Sequence, residues 1–292
     1  PGYASILINL GSIYSENGDF NKAKALNLEA LKIIKTNPVT ETDLYTHGLN
    51  NLANNYRNLG NYDQSIDLIN EALDITEKTI GQNHLTYAIY LNNLADCHLG
   101  IGNYSRALEI QFKTLEIKLG ILNQQDESIG ISYGQIGQIY YYLGDYDKSI
   151  EYGWKELEIE EVVNGNEHPY YAISLSNIAK YLKEKGLYKE ALTLEIKALE
   201  IFEISLGKEH PDYAKSLKHI ADYFSLYGQN QKSLEYNLKA LGIIAKTFGK
   251  EHPDYAASIN NIAIDYSNLG DYTKSLEYNL IALEIYEKVS GK

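Results

Sequence analysis

Near the end of the chain, Tyr255, Ile259, Ile262, Ala263 and Tyr266 recur at spacings of three and four, with polar residues between them. That period puts them on one face of an amphipathic helix. After a break at Gly270-Asp271, the set Tyr272, Leu276, Leu280, Leu283 and Tyr286 repeats the pattern. The stretch therefore predicts two helices joined by a tight turn, a helical hairpin. Its ends agree. His252-Pro253-Asp254 places proline in the first turn, where its missing N–H costs nothing, and an acid near the positive end of the helix dipole. Gly270 offers a left-handed residue to close the first helix, and any side chain with a Cβ there should cost about 1 kcal/mol.

The hairpin recurs along the whole chain. Glycine stands at 18, 60, 102, 144, 186, 228 and 270, each 42 residues after the last, with no insertion or deletion. Two residues on come Phe20, Tyr62, Tyr104, Tyr146, Tyr188, Asn230 and Tyr272; three further stand Ala23, Ser65, Ala107, Ser149, Ala191, Ser233 and Ser275. Leucine fills positions 31, 73, 115, 157, 199, 241 and 283, and isoleucine follows two residues after each. Counting from Pro1, with Pro169, Pro211 and Pro253 in register, the units are 1–42, 43–84, 85–126, 127–168, 169–210, 211–252 and 253–292. These form a single array, expected to be a segment of a longer chain because its bounds follow the repeat and no initiator methionine is present. A lone hairpin exposes apolar surface on both sides and can bury it only against its neighbours, which predicts a solenoid. The first helix of each unit is expected to line its concave wall.

The stretches LNNLADCHLGIGNYSRALEI (91–110) and INNIAIDYSNLGDYTKSLEYNLIALEI (259–285), with GKEHPDYA at 207–214 and 249–256, resemble the tetratricopeptide repeat in its 42-residue, kinesin-light-chain-like form. The resemblance covers essentially the entire chain. It implies an all-α fold, a right-handed α-solenoid superhelix of seven antiparallel helix pairs. Two junctions depart from the pattern. Asp126-Glu127 replaces His-Pro, and Gly120 with Asn123-Gln124 before it suggests a shortened or irregular helix end. Asn37-Pro38 should stop the preceding helix early.

Charge narrows the partners. With 26 basic and 39 acidic side chains the net charge is −13, which opposes nucleic acid and anionic membrane surfaces. No apolar run approaches the roughly 18 to 20 residues of a spanning helix, and the start, PGYAS, lacks a signal-peptide pattern. The one cysteine, Cys97, cannot form an internal disulfide, which fits a cytoplasmic protein.

The resemblance also supplies candidate binding residues. The position before each Leu-Ala-type pair reads Asn9, Asn51, Asn93, Gln135, Asn177, His219 and Asn261. In the family, asparagine here faces the groove and grips the backbone of a bound peptide, since an amide both donates and accepts. The competing reading is that these amides bond one another or satisfy backbone at the helix seams. Flanking groove candidates, carried over by position, are Asn50, Asn54, Arg57, Asn92, Tyr141, Lys183, Lys215, Lys218 and Asn260. Lys215, Lys218 and His219 share a helix face and form a local positive spot where a carboxylate-bearing peptide could dock, against the plainer reading of a solvated face. The lysine and asparagine arrangement of chaperone-tail-binding relatives is not reproduced, because Asp222 stands where a second amide would be needed.

The remaining motifs point away from chemistry. His84, His168, His210 and His252 lie one or two units apart, roughly two helix layers of 8 to 10 Å per unit, too far to share a metal ion. They are expected to be linker and helix-start residues. Cys97 and His98 are adjacent on a helix and point in different directions, so both are read as packing residues. No phosphate loop, HExxH or GxSxG is present. The expectation is a non-enzymatic scaffold, without cofactor or metal, that holds an extended peptide or protein segment in its groove. The alternative is a structural spacer within a larger multidomain protein that self-associates through uncapped ends.

Overall fold

The computed structural model describes residues 2–36 and 42–290. Among them are fourteen helices and no strand. The first four are α1 (Gly2–Glu16), α2 (Phe20–Thr36), α3 (Thr42–Asn58) and α4 (Tyr62–Thr79). Next come α5 (Leu85–Gly100), α6 (Tyr104–Ile121), α7 (Glu127–Leu143) and α8 (Tyr146–Val163), followed by α9 (Pro169–Glu184) and α10 (Tyr188–Ser205). The last are α11 (Pro211–Leu226), α12 (Asn230–Thr247), α13 (Pro253–Asn268) and α14 (Tyr272–Ser290). The fold is an all-α solenoid of seven helix pairs, one pair to each 42-residue repeat. Pro1 and the Asn37-Pro38 junction lie outside the described residues. No described helix is long and apolar enough to cross a membrane.

The repeat columns account for the elements. His84, His168, His210 and His252 are N-caps. Each Nδ1 accepts the backbone N–H two residues on, at 3.1 to 3.3 Å, and so satisfies one of the donors a helix start leaves unpaired. Gly144 ends α7 at φ +78°, and the 3.0 Å bond from Asp145 N–H to the Tyr140 carbonyl closes the turn. A second glycine series, Gly81, Gly165, Gly207 and Gly249, follows second helices at φ between +84° and +87°.

Of the two forms expected of the α6 end, shortened or irregular, the structure shows the second. The Gly120 and Asn123-Gln124 segment does not shorten its helix: α6 has 18 residues, the same length as α4, α8, α10 and α12. Helix propensity at one glycine is outweighed by packing of the leucine and isoleucine columns. Only the cap differs. Leu122 is extended, and Asp126 takes over the histidine's role, its Oδ1 accepting from Ser128 N–H at 2.9 Å.

The chain divides into two compact units, residues 1–152 and 153–292. In the first, Ala23, Ser65 and Ala107 are fully buried and let the two helices of each hairpin approach closely. Ser65 Oγ donates to the Ala53 carbonyl at 2.7 Å. Leu31, Leu73 and Leu115 are buried in turn, and Leu31 and Leu73 share one apolar cluster with Leu49, Leu52, Tyr87 and Leu91. In the second unit Ala191 and Ser233, with Ile201, Phe202, Ile243 and Ile244, repeat the scheme. Each buried leucine, isoleucine or phenylalanine side chain among these contributes about 1.5 to 3 kcal/mol of burial free energy.

Candidate functional site

In the first unit the first helices lie side by side, α1 against α3 and α3 against α5. The amide column therefore runs along one face of these helices. It is largely self-satisfied. Asn51 Nδ2 donates to Ser12 Oγ at 3.1 Å, and Asn93 Nδ2 donates to Asn50 Oδ1 at 2.7 Å. Gln135 Nε2 donates to Asp96 Oδ1 at 3.4 Å, and Asp96 pairs with Arg57. From α6 the buried Gln111 Nε2 donates to Asn92 Oδ1 at 3.1 Å and bonds Gln135 Oε1. Burial pushes the Asp96 carboxyl up, and the Arg57 guanidinium opposes that rise. Three separate links thus cross successive repeats: Asn51 to Ser12, Asn93 to Asn50, and a connected set of Arg57, Asp96, Gln135, Gln111 and Asn92. Asn9 is exposed on α1, while the Asn54 Oδ1 is buried without a hydrogen-bond partner. Tyr141 sits at the end of α7 with its ring 5.5 Å from Tyr142 and 6.0 Å from Tyr146.

The second unit is arranged differently. Glu195 on α10, 1% exposed, occupies the position that Gln111 holds two repeats earlier. Its Oε1 accepts from Ser216 Oγ at 2.6 Å and Ser176 Oγ at 3.1 Å, and lies 3.2 Å from His219 Nδ1. Here the cross-repeat link is a buried carboxylate holding an imidazole, not an amide holding an amide. Beside it, α9, α10 and α11 enclose a cavity of about 130 Å³ bordered by Asn177, Lys180, Lys215 and His219, with Ile173 and Phe202 as apolar wall. Burial, and next the charge of Lys215, push the Lys180 ammonium below its ordinary range. Asp222 is pushed up by burial, against the pull of Lys183, His219 and Lys218.

Among the described residues, the Asn177 and Asn261 side chains form no hydrogen bond, so both donor and acceptor remain available. Asn260 is exposed on α13. Of the positions predicted from sequence, Asn177, Lys215 and His219 come together around the cavity, while Lys183 and Lys218 stand nearby on the same two helices. Lys180, Glu195, Ser176, Ser216, Asp96 and Gln111 were not legible as site residues. Their columns vary from repeat to repeat, and the one signal that could have flagged Glu195 and Gln111 is the recurrence of polar residues in a second-helix column that also holds Ile69 and Gly153. Cys97 is buried with its Sγ 3.1 Å from Ser65 Oγ, and burial raises its thiol and lowers the neighbouring His98, in keeping with packing roles.

Two models of the tetratricopeptide repeat match the sequence, one over residues 46–119, 128–204, 181–243 and 227–288, the other over residues 4–37. No curated protein matches the chain. Among solved structures, the apo form of RapI is similar over 99% of both chains, at 19% identity and a TM-score of 0.73. The apo quorum sensor NprR from B. thuringiensis is similar over 96% of this chain and 75% of its own, at 16% identity and a TM-score of 0.75. A Rap protein in complex with competence and sporulation factor is similar over 98% of this chain and 75% of its own, at 15% identity and a TM-score of 0.64. At these identities the likeness is one of fold.

Proposed function

Since the chain belongs to the tetratricopeptide repeat family, we propose that it is a non-enzymatic scaffold holding an extended segment of a partner along α9, α11 and α13 of its second unit. The observation that carries this reading is the contrast between the two amide columns. Asn51, Asn93 and Gln135 already spend hydrogen bonds on their neighbours, whereas Asn177 and Asn261 keep theirs. A free carboxamide can pair with both the N–H and the C=O of an extended backbone, reading main chain rather than sequence. That a Rap protein of the same fold was solved with competence and sporulation factor bound supports the reading by analogy.

The test is selection of peptides from a random dodecamer display library, followed by affinity measurements. Asn177→Ala with Asn261→Ala should weaken a selected peptide about tenfold or more, the loss of one to two hydrogen bonds. Asn51→Ala with Asn93→Ala should leave it within about twofold. The reverse ranking would defeat the assignment to the second unit.

A second reading, self-association, is favoured by exposed faces on α1 and α14. Leu10, 40% exposed, and Leu283, 53% exposed, occupy columns that are buried at Leu52, Leu94, Leu31 and Leu73. Sedimentation across a hundredfold concentration range would reveal the assembly, and a constant monomer mass would exclude it.

A further inference from the structure

The second helices carry a column that stays at the surface. It reads Leu28, Asn70, Phe112, Trp154, Ile196, Leu238 and Leu280, and its apolar members are all exposed. Eight residues further along the same side stand Thr36, Lys78, Gly120, Val162, Ile204, Lys246 and Lys288. Lysine suits such a solvent-facing position. Only α8 and α10, in successive repeats, are apolar at both places: Trp154 and Ile196 are 45% and 39% exposed, and Val162 and Ile204 are 55% and 76% exposed. Ile204 is the most exposed large apolar side chain among the described residues.

Glutamates stand between these apolar residues. The sets Trp154, Glu158, Glu161, Val162 and Ile196, Glu200, Glu203, Ile204 have offsets of four, seven and eight, which share one helix face. Glu158, Glu161 and Glu200 are exposed and enter no ion pair among the described residues, while Glu203 pairs with Lys208 at 3.0 Å. Lys197 does not offset them, since its Nζ donates to the Tyr171 hydroxyl on α9 at 3.2 Å. Helices α8 and α10 both meet α9, α10 through extensive packing and α8 through the hydrogen bond of Ser174 to Glu156. Two layers of roughly 8 to 10 Å then separate α8 from α10, a spacing on which one more helix can rest against both.

We propose that the exposed face of α8 and α10 docks a basic amphipathic helix of a partner, its apolar side on Trp154, Val162, Ile196 and Ile204 and its basic side chains opposite Glu158, Glu161 and Glu200. Exposed apolar side chains grouped among polar ones mark a contact surface, and the unpaired carboxylates choose the occupant. A second copy of the chain, at net −13, would bring like charges together, and an anionic membrane would repel the same glutamates. The contact is separate from the amides of Asn177 and Asn261 and adds a second binding surface to the scaffold.

Trp154 is the only tryptophan, so its emission reports on this face directly. The probes are the amphipathic peptide LKKLLKLLKKLLKL and its charge-reversed form LEELLELLEELLEL, titrated into the whole chain. The lysine peptide should shift the emission to the blue and bind about tenfold or more tighter than the glutamate peptide at about 0.05 M salt, with the gap narrowing as salt rises. Val162→Lys with Ile204→Lys, the residue type of Lys78, Lys246 and Lys288, should weaken the lysine peptide about tenfold or more at unchanged helicity and melting temperature. Leu119→Lys with Ile121→Lys, the same change at exposed sites of α6, should leave its affinity within about twofold, as should Asn177→Ala with Asn261→Ala. An unmoved emission, equal affinities for the two peptides, or binding that survives Val162→Lys with Ile204→Lys would overturn the proposal. So would an emission that shifts with chain concentration alone and reverts in that variant, an outcome that gives the face to a second copy.

Discussion

At the scale of single residues, the repeat tolerates groups that a uniform apolar core would exclude. Glu156 on α8 shows the consequence. It stands where the other repeats carry Ala30, Ala72, Thr114, Ala198, Ala240 and Ala282. Burial, with Glu160 as a neighbouring like charge, raises its carboxyl to about 8, opposed only by a hydrogen bond from Ser174. A carboxyl whose folded pKa lies above its unfolded value binds more protons in the folded state. Its stabilising effect is full below the unfolded value near 4.5 and is lost as pH climbs to about 8. Melting temperature should therefore fall between pH 5 and pH 8. Glu156→Gln should flatten that fall and melt higher than the parent at pH 8. Parallel curves for the two proteins would refute this. A plainer residue-level effect belongs to the caps: His210→Ala removes the acceptor for Asp212 N–H and should cost about 1 kcal/mol, read by denaturant unfolding.

At the scale of elements, a helix face in this fold has two tasks, joining its neighbours and meeting a ligand, and the two compete for the same amides. Along α3, α5 and α7 the joining task prevails, with Arg57, Asp96, Gln135, Gln111 and Asn92 forming one connected set. Gln111→Ala should leave Asn92 and Gln135 without their shared donor and lower stability by about 1 to 3 kcal/mol, while affinity for a selected peptide stays the same. Glu195→Ala on α10 should lower both, because Ser176, Ser216 and His219 lose their common acceptor and the imidazole loses its orientation. The column that contains Gln111 and Glu195 reads Asn27, Ile69, Gln111, Gly153, Glu195, Asn237 and Asn279. In the sequence this looks like noise in a repeat. It is the set of residues that makes each junction chemically different.

For the molecule as a whole, stability in a stacked array is a sum of local terms, since each pair rests on its neighbours alone. Helices whose apolar columns stay exposed should open first. Amides of α14, whose Leu276 and Leu283 are 62% and 53% exposed, should exchange faster than those of α9, whose Leu175 and Ile178 are almost fully buried. Native-state hydrogen exchange measures this directly, and equal protection of α9 and α14 would contradict a local-sum description.

What the sequence determined by itself was the period, the hairpin, and the start and stop of almost every helix. Those follow from backbone rules that act over a few residues: the spacing of apolar side chains, a histidine or aspartate at the cap, glycine where φ turns positive. Leu31, Ile33 and Gly18 announce their roles because every repeat asks the same of them. Which amides are committed and which are open was decided only by the tertiary structure. Asn51 and Asn177 occupy the same column and the same local surroundings, yet one bonds Ser12 from the preceding repeat and the other borders a cavity beside two lysines. That difference arises from residues 20 to 40 positions away, brought within hydrogen-bond reach when the pairs stack, a distance over which local patterns carry no information.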